Sequence, residues 1–179
     1  MALAAVTLRY AVSRTGRNWF LIYWSISGTM KADRQLPPLM MVDDNTDDAV
    51  LFARRLKEAG VHNPLIHFRT GGEAFMFLNE LCAGRKTSTG RPCLIFLDVN
   101  MPNLSGFDVL AWARQQPALR GLKIIMLSGA TEPWDAKIAA KLGADDYLMK
   151  FPDAGRLSTL LATHLGAAPN PDRAAADLH

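Results

Sequence analysis

Four charged side chains and one hydroxyl stand at the carboxyl ends of four apolar runs. Asp43 and Asp44 close Leu39-Met40-Met41-Val42, Asp98 closes Cys93-Leu94-Ile95-Phe96-Leu97, Ser128 closes Ile124-Ile125-Met126-Leu127, and Lys150 follows Tyr147-Leu148-Met149. If these runs are neighbouring parallel strands, their ends lie side by side and the five side chains meet in one cleft. Three carboxylates at one spot repel, and without a counter-ion each holds its proton more tightly. A hard divalent cation relieves that cost. Magnesium keeps several waters and takes one or two carboxylates plus phosphate oxygens, so a small open acidic cleft suits it. A carboxylate beside such an ion can attack phosphorus and become an aspartyl phosphate. The three equatorial phosphoryl oxygens then need partners: the metal for one, the Ser128 hydroxyl for another and the Lys150 ammonium for the third.

The elements that must position these groups alternate strand and helix, which predicts a parallel sheet with helices on both faces. Leu39–Val42 is the first strand, and Asn45 caps a helix whose first turn holds Asp47 and Asp48, both favoured by the positive end of the helix dipole. Ala49, Phe52, Ala53 and Leu56 share one face of that helix, which stops at Gly60. A second strand over 64–69 and a second helix over 72–82 follow, then a solvated loop over 83–91. Cys93–Leu97 is a continuous apolar run, as a central strand covered on both faces requires. A turn at 102–106 leads to a third helix over 107–116. A fourth strand over 123–127, a fourth helix over 133–142, a fifth strand over 147–149 and a last helix over 152–165 complete the series. The expected fold is therefore α/β, a doubly wound five-stranded parallel sheet in the flavodoxin-like order 2-1-3-4-5. In such sheets ligands bind beyond the carboxyl ends of the strands where the order reverses, here between strands one and three. The acidic pair and Asp98 end those two strands.

Composition sets bounds around this. The chain has 179 residues, 49% of them hydrophobic, which suits one soluble domain. The formal charge of +3 is carried by residues 1–29, where Arg9, Arg14 and Arg17 stand without any acid, so the body is neutral and gives no support for nucleic-acid binding. Cys82 and Cys93 are too few for a disulfide scaffold and read as small buried thiols. His62, His67, His164 and His179 lack paired ligand spacing and read as surface or half-buried residues.

The run Trp19–Ile26 is far shorter than the ~20 residues a membrane-spanning helix needs. Residues 1–29 are read as an upstream extension outside the domain and the mature protein, with Met30 as the working start and a weak interfacial anchor as the alternative. Residues 30–37 form a leader, 38–165 the domain, and 166–179 a flexible tail.

Four motifs carry a family resemblance. Val42-Asp43-Asp44-Asn45, Leu97-Asp98-Val99-Asn100-Met101-Pro102, Leu127-Ser128-Gly129-Ala130 and Tyr147-Leu148-Met149-Lys150 resemble those of two-component response-regulator receiver domains. The chemotaxis regulator is a standard example of the 2-1-3-4-5 order, so family and strand order are not independent findings. The resemblance implies Asp98 as phospho-acceptor, charged by a sensor histidine kinase or phosphotransfer protein. It implies Mg²⁺ held by Asp44, Asp98 and the Asn100 carbonyl, with Asp43 nearby and partly through water. Lys150 would bind the phosphate, and Ser128 and Tyr147 would form the switch pair, Ser128 drawn inward and Tyr147 rotating into the space it leaves. The long loop after the second helix and the Phe77-Leu78 pair resemble stand-alone receivers of the phytochrome-associated subgroup. One departure stands out: Phe151 separates Lys150 from Pro152, where the family places proline directly after the lysine, often through a cis peptide. A cis bond without proline costs ~3 kcal/mol, so either the backbone bears it or the loop reaches the cleft another way.

The expected function is a cytoplasmic single-domain switch of a phosphorelay, acting on an unidentified downstream protein. It makes no nucleic-acid contact and has no membrane span, and the last helices have apolar residues enough for a homodimer. The rival readings are a receiver that is never phosphorylated and only docks, an aspartate-nucleophile phosphatase, and a flavin-binding domain. The phosphatase would need a second acid where Asn100 stands, and an amide is no proton donor of useful strength. The flavin domain would need a phosphate loop after the first strand, and none follows Val42.

Overall fold

The computed structural model describes residues 6–12, 18–24, 36–87, 89–129 and 133–166. Its strands are β1 (Val6–Val12), β2 (Asn18–Trp24), β3 (Leu39–Val42), β4 (Leu65–Phe68), β5 (Leu94–Asp98), β6 (Lys123–Ser128) and β7 (Asp146–Met149). The helices are α1 (Thr46–Glu58), α2 (Gly71–Cys82), α3 (Gly106–Gln115), α4 (Pro133–Leu142) and α5 (Ala154–Leu165). From Leu39 onward every expected element is present with ends shifted by at most two residues. The strands β4-β3-β5-β6-β7 run parallel, which is the order 2-1-3-4-5 counted from Leu39.

β3, β4 and β5 are buried along their whole length, so their pleats feed two cores. On one face Met40, Val42, Ile95 and Leu97 pack with Ala74 and Phe77 of α2, Val109 and Leu110 of α3 and Ala139 of α4. On the other, Leu39, Met41, Leu94 and Phe96 pack with Phe52 and Leu56 of α1 and Leu157 and Leu161 of α5. The helix starts are fixed by side chains. Asn45 accepts from the Asp47 and Asp48 amides, and Ser105 and Asp108 cap α3 reciprocally.

The amino end of β6 is pinned by charge. Arg114 Nη2 and Lys123 Nζ each lie 2.7 Å from the Asp145 carboxylate, which also accepts the Ile124 amide at 2.9 Å.

Among the described residues the sheet has seven strands rather than five. β1 and β2 pair antiparallel, and β2 continues antiparallel onto β4 through Phe20↔His67, Leu21↔Ile66 and Ile22↔Leu65. No strand was expected before Leu39, and this corrects that expectation. The physical reason is legible afterwards. Trp, Phe, Ile and Tyr favour a pleated surface, and β4 would otherwise leave a row of unpaired amides and carbonyls on the sheet's edge. The leader residues 30–35 and the tail residues 167–179 lie outside the described residues.

Candidate functional site

The register of the parallel ladders assembles the cleft. Val42 pairs with Leu97, Asp98 with Leu127, and Ser128 with Met149. Asp43, Asp98, Ser128 and Lys150 therefore end four adjacent strands at one edge. Backbone bonds extend the edge past the strands, Val99 N–H to the Leu127 carbonyl at 2.9 Å and Lys150 N–H to the Ser128 carbonyl at 2.7 Å. Asp43, Asp98 and Ser128 are buried, while Asp44 is exposed at the mouth.

One carboxylate oxygen from each of Asp43, Asp44 and Asp98 lies within 4.8 Å of the others. Lys150 Nζ reaches into the same space, 2.8 Å from Asp98 Oδ2 and 2.9 Å from Asp43 Oδ2. The remaining oxygens are held by backbone amides: Asn45 N–H donates to Asp43 Oδ1 at 2.9 Å, and Asn100 N–H to Asp98 Oδ1 at 3.3 Å. Burial pushes both carboxyls above the ordinary aspartate range, and the Lys150 hydrogen bonds offset this only in part. For Lys150, burial pulls the pKa down, but hydrogen bonds to Asp98 and Asp43 outweigh it and the ammonium is held charged.

Residues that would hold a metal fit one. The donors are hard carboxylate oxygens within one ion's reach of each other, with an open side at Asp44 for water or phosphate. Their joint charge exceeds what one ammonium neutralises.

Six of the seven residues singled out in the sequence, Asp43, Asp44, Asp98, Asn100, Ser128 and Lys150, sit at this edge or just beyond it, and Tyr147 lies inside the sheet. Asn100 is exposed in the loop after β5, and Tyr147 lies in β7, two residues before its end. The sequence reading has Tyr147 rotating inward; its hydroxyl is already enclosed, with no hydrogen-bond partner among the described residues. The departure at Phe151 is answered by the second route. Every described peptide bond is trans, and Phe151 takes φ 62°, in the left-handed region. For a residue with a Cβ that conformation costs roughly 1–2 kcal/mol. The turn thus carries strain at the residue that follows Lys150.

Three participants escaped sequence reasoning. Asp48, assigned to the helix dipole alone, places Oδ2 3.2 Å from Lys150 Nζ. Its spacing of four from Asp44 across a helix start was the available signal. His67, read as a surface or half-buried residue, is fully buried, with Nε2 2.7 Å from the Asp43 carbonyl. Burial lowers its pKa, so the ring is neutral and, facing a carbonyl, donates from Nε2–H. Its place between Ile66 and Phe68 in a strand covered on both faces was the clue. Gly106 at the start of α3 brings that helix against Asp98: a Cβ there would lie 2.1 Å from the Asp98 carbonyl oxygen. Cys82 and Cys93 are free thiols, half-buried rather than buried.

Comparison with known proteins agrees with the geometry. The family described as response regulator receiver domain matches residues 39–162, and the chain belongs to that family. Among individual relatives, the response regulator Rcp1 of Synechocystis sp. is 31% identical over 121 residues, covering 66% of this chain and 81% of that protein. The alkaline phosphatase synthesis transcriptional regulatory protein PhoP of Bacillus subtilis is 33% identical over 112 residues, 63% of this chain but only 41% of that protein. Among solved structures, the phosphorylated cyanobacterial phytochrome response regulator RcpA superposes with a TM-score of 0.61 at 26% identity, over 75% of this chain and 98% of that one. The Mn²⁺-bound form of Rcp1 gives 0.60 at 25% identity, over 75% and 99%. No helix of the described residues is long and apolar enough to cross a membrane.

Proposed function

We propose that residues 38–165 work as a phosphorylation-driven switch, with Asp98 as the phospho-acceptor. The observation that carries this reading is the convergence of the Asp43, Asp44 and Asp98 carboxylates within 4.8 Å, with the Lys150 ammonium seated on Asp98. In the proposed step an Asp98 carboxylate oxygen attacks phosphorus of a phosphohistidine on a sensor kinase or phosphotransfer protein. The new bond is O–P, the N–P bond breaks, and its electron pair stays on the departing imidazole. Asp44, Asp98 and the Asn100 carbonyl, with Asp43 partly through water, would hold Mg²⁺, which would supply positive charge for one phosphoryl oxygen. Lys150 binds a second oxygen and the Ser128 hydroxyl a third. His67 and the Asn45 amide keep Asp43 oriented meanwhile.

The output is a change in affinity for a downstream protein, in the cytoplasm, and the protein acts as a switch rather than an enzyme on external substrates. Ser128 moves toward the phosphoryl group, and Tyr147 on the neighbouring strand, whose hydroxyl has no partner among the described residues, rotates into the space it leaves. Trp134 on α4, Met149 on β7 and Phe151 expose apolar surface beside that change, fit for a protein partner. Such local charge events bias a bistable element. Incubation with acetyl phosphate and Mg²⁺ tests the assignment. A hydroxylamine-labile phosphate should form on the wild type and be absent from Asp98→Asn, whereas equal labelling of both refutes it.

A further inference from the structure

Lys150 does not serve two carboxylates but three. Its Nζ lies 2.8 Å from Asp98 Oδ2, 2.9 Å from Asp43 Oδ2 and 3.2 Å from Asp48 Oδ2. An ammonium has three N–H donors and no more. Asp98 and Asp48 accept hydrogen bonds from it, and Asp43 Oδ2 pairs with it by charge without accepting one, so a phosphoryl oxygen comes to Lys150 in competition with these carboxylates. The Asp48 contact is the longest, and that side chain is 22% exposed against 0% for Asp43 and 2% for Asp98. It is the contact that yields most cheaply.

Asp48 also stands outside the acidic trio whose oxygens lie within one ion's reach. Among the described residues its ion-pair contact with the site is Lys150. Its neighbour Asp47 offers the natural comparison. Both lie in the first turn of α1, both amides donate to Asn45, and both carboxylates complement the helix dipole, but Asp47 is exposed. The dipole accounts for the presence of either acid and not for the placement of Asp48 against Lys150.

We infer that Asp48 is a positioning residue that holds Lys150 in competition with the incoming phosphoryl group, so that it favours the cation and opposes the phosphoryl state. This rests on the function proposed above. The sign follows from charge. A fourth carboxylate beside the cleft attracts a divalent cation and repels an anion, and it also occupies the donor the anion needs. Neutralising Asp48 must move the two affinities in opposite directions. Loss of local structure would lower both together.

The test uses the full chain with Asp48→Asn, and Asp47→Asn as the control for the helix dipole. Mg²⁺ alone is titrated by calorimetry, and beryllofluoride, a phosphoryl analogue, is titrated at saturating Mg²⁺ by fluorine NMR. In Asp48→Asn, Mg²⁺ binding should weaken roughly 3- to 10-fold and beryllofluoride binding tighten by a similar factor, while Asp47→Asn moves each by less than about 2-fold. Indistinguishable behaviour of the two variants overturns the inference and leaves the proposed function standing. So does a joint weakening of both ligands in Asp48→Asn. A wild type that binds neither Mg²⁺ nor beryllofluoride overturns the proposed function, and this inference with it.

Discussion

Replacing Lys150 by methionine isolates what its ammonium contributes. In the folded chain Nζ sits 2.8 and 2.9 Å from two carboxylates that are 2% and 0% exposed. Removing one partner of a buried ion pair leaves charge uncompensated and costs about 3–5 kcal/mol. The third contact, to Asp48, is partly exposed and adds at most about 1 kcal/mol. Asp43 and Asp98 can escape part of the penalty by taking up a proton, so about 3 kcal/mol is expected near neutral pH without metal. The pH dependence has a definite sign. Both carboxyls already have folded pKa values above 3.8, and the variant raises them further. Between the unfolded and folded values the native state binds more protons, so stability falls as pH rises through that window. Lys150 itself has a raised pKa, so its contribution is fully present below its unfolded value of 10.5 throughout this range. The destabilisation should therefore be larger at about pH 7.5 than at about pH 4.5, and saturating Mg²⁺ should shrink it by restoring positive charge. Urea denaturation of both proteins at the two pH values, with and without Mg²⁺, measures all of this. A loss under about 1 kcal/mol at the higher pH, or a larger loss at the lower one, refutes the reasoning.

Three further outcomes are expected. Gly106→Ala would place a Cβ 2.1 Å from the Asp98 carbonyl oxygen and 3.0 Å from Met126 Cε. It should cost about 1–3 kcal/mol in denaturant unfolding and slow acetyl-phosphate labelling by ~10²-fold, because the strand end that carries Asp98 must shift. Tyr147→Phe removes an enclosed hydroxyl that has no partner among the described residues. It should leave thermal stability unchanged or raise it by up to about 1 kcal/mol, and a clear destabilisation would count against the enclosed position. Asp145→Ala breaks the link between Arg114, Lys123 and the Ile124 amide, at a cost of about 1–2 kcal/mol. Burial raises the Asp145 pKa, but Lys123, the Ile124 amide and Arg114 outweigh it and hold the value below 3.8. Its stabilisation is therefore present above pH 3.8 and lost as pH falls through the folded value, so wild type and variant should converge in unfolding experiments at strongly acid pH.

The five parallel strands and five helices could be read from the sequence because each obeys a local rule. The buried strands are continuous apolar runs, Asn45 and Ser105 are good caps, and Gly60 and Gly143 take the positive φ that ends a helix. The cleft was legible for the same reason: strand ends in parallel register carry their closing residues to one edge. What was missed depends on contacts between segments remote in sequence. Asp48 acquires its role only when the β7–α5 turn brings Lys150 across 102 positions to meet it. His67 faces Asp43 across 24 positions, and a polar residue in a buried strand is ambiguous until its partner is known. The β1–β2 hairpin was hidden because an apolar aromatic run fits an edge strand, an interfacial anchor or an upstream extension equally well. The left-handed Phe151 is a backbone solution that the departure at this turn foreshadowed without choosing.

Direct chemical identification of the phosphorylated residue is the sharpest test of the account. After exposure to acetyl phosphate and Mg²⁺, borohydride reduction converts an acyl phosphate on aspartate to homoserine, and tandem mass spectrometry of the peptides locates it. Conversion at Asp98 alone, dependent on Mg²⁺ and abolished by Asp98→Asn, is the predicted result. Conversion at Asp43, Asp44 or elsewhere with Asp98 untouched contradicts the central claim.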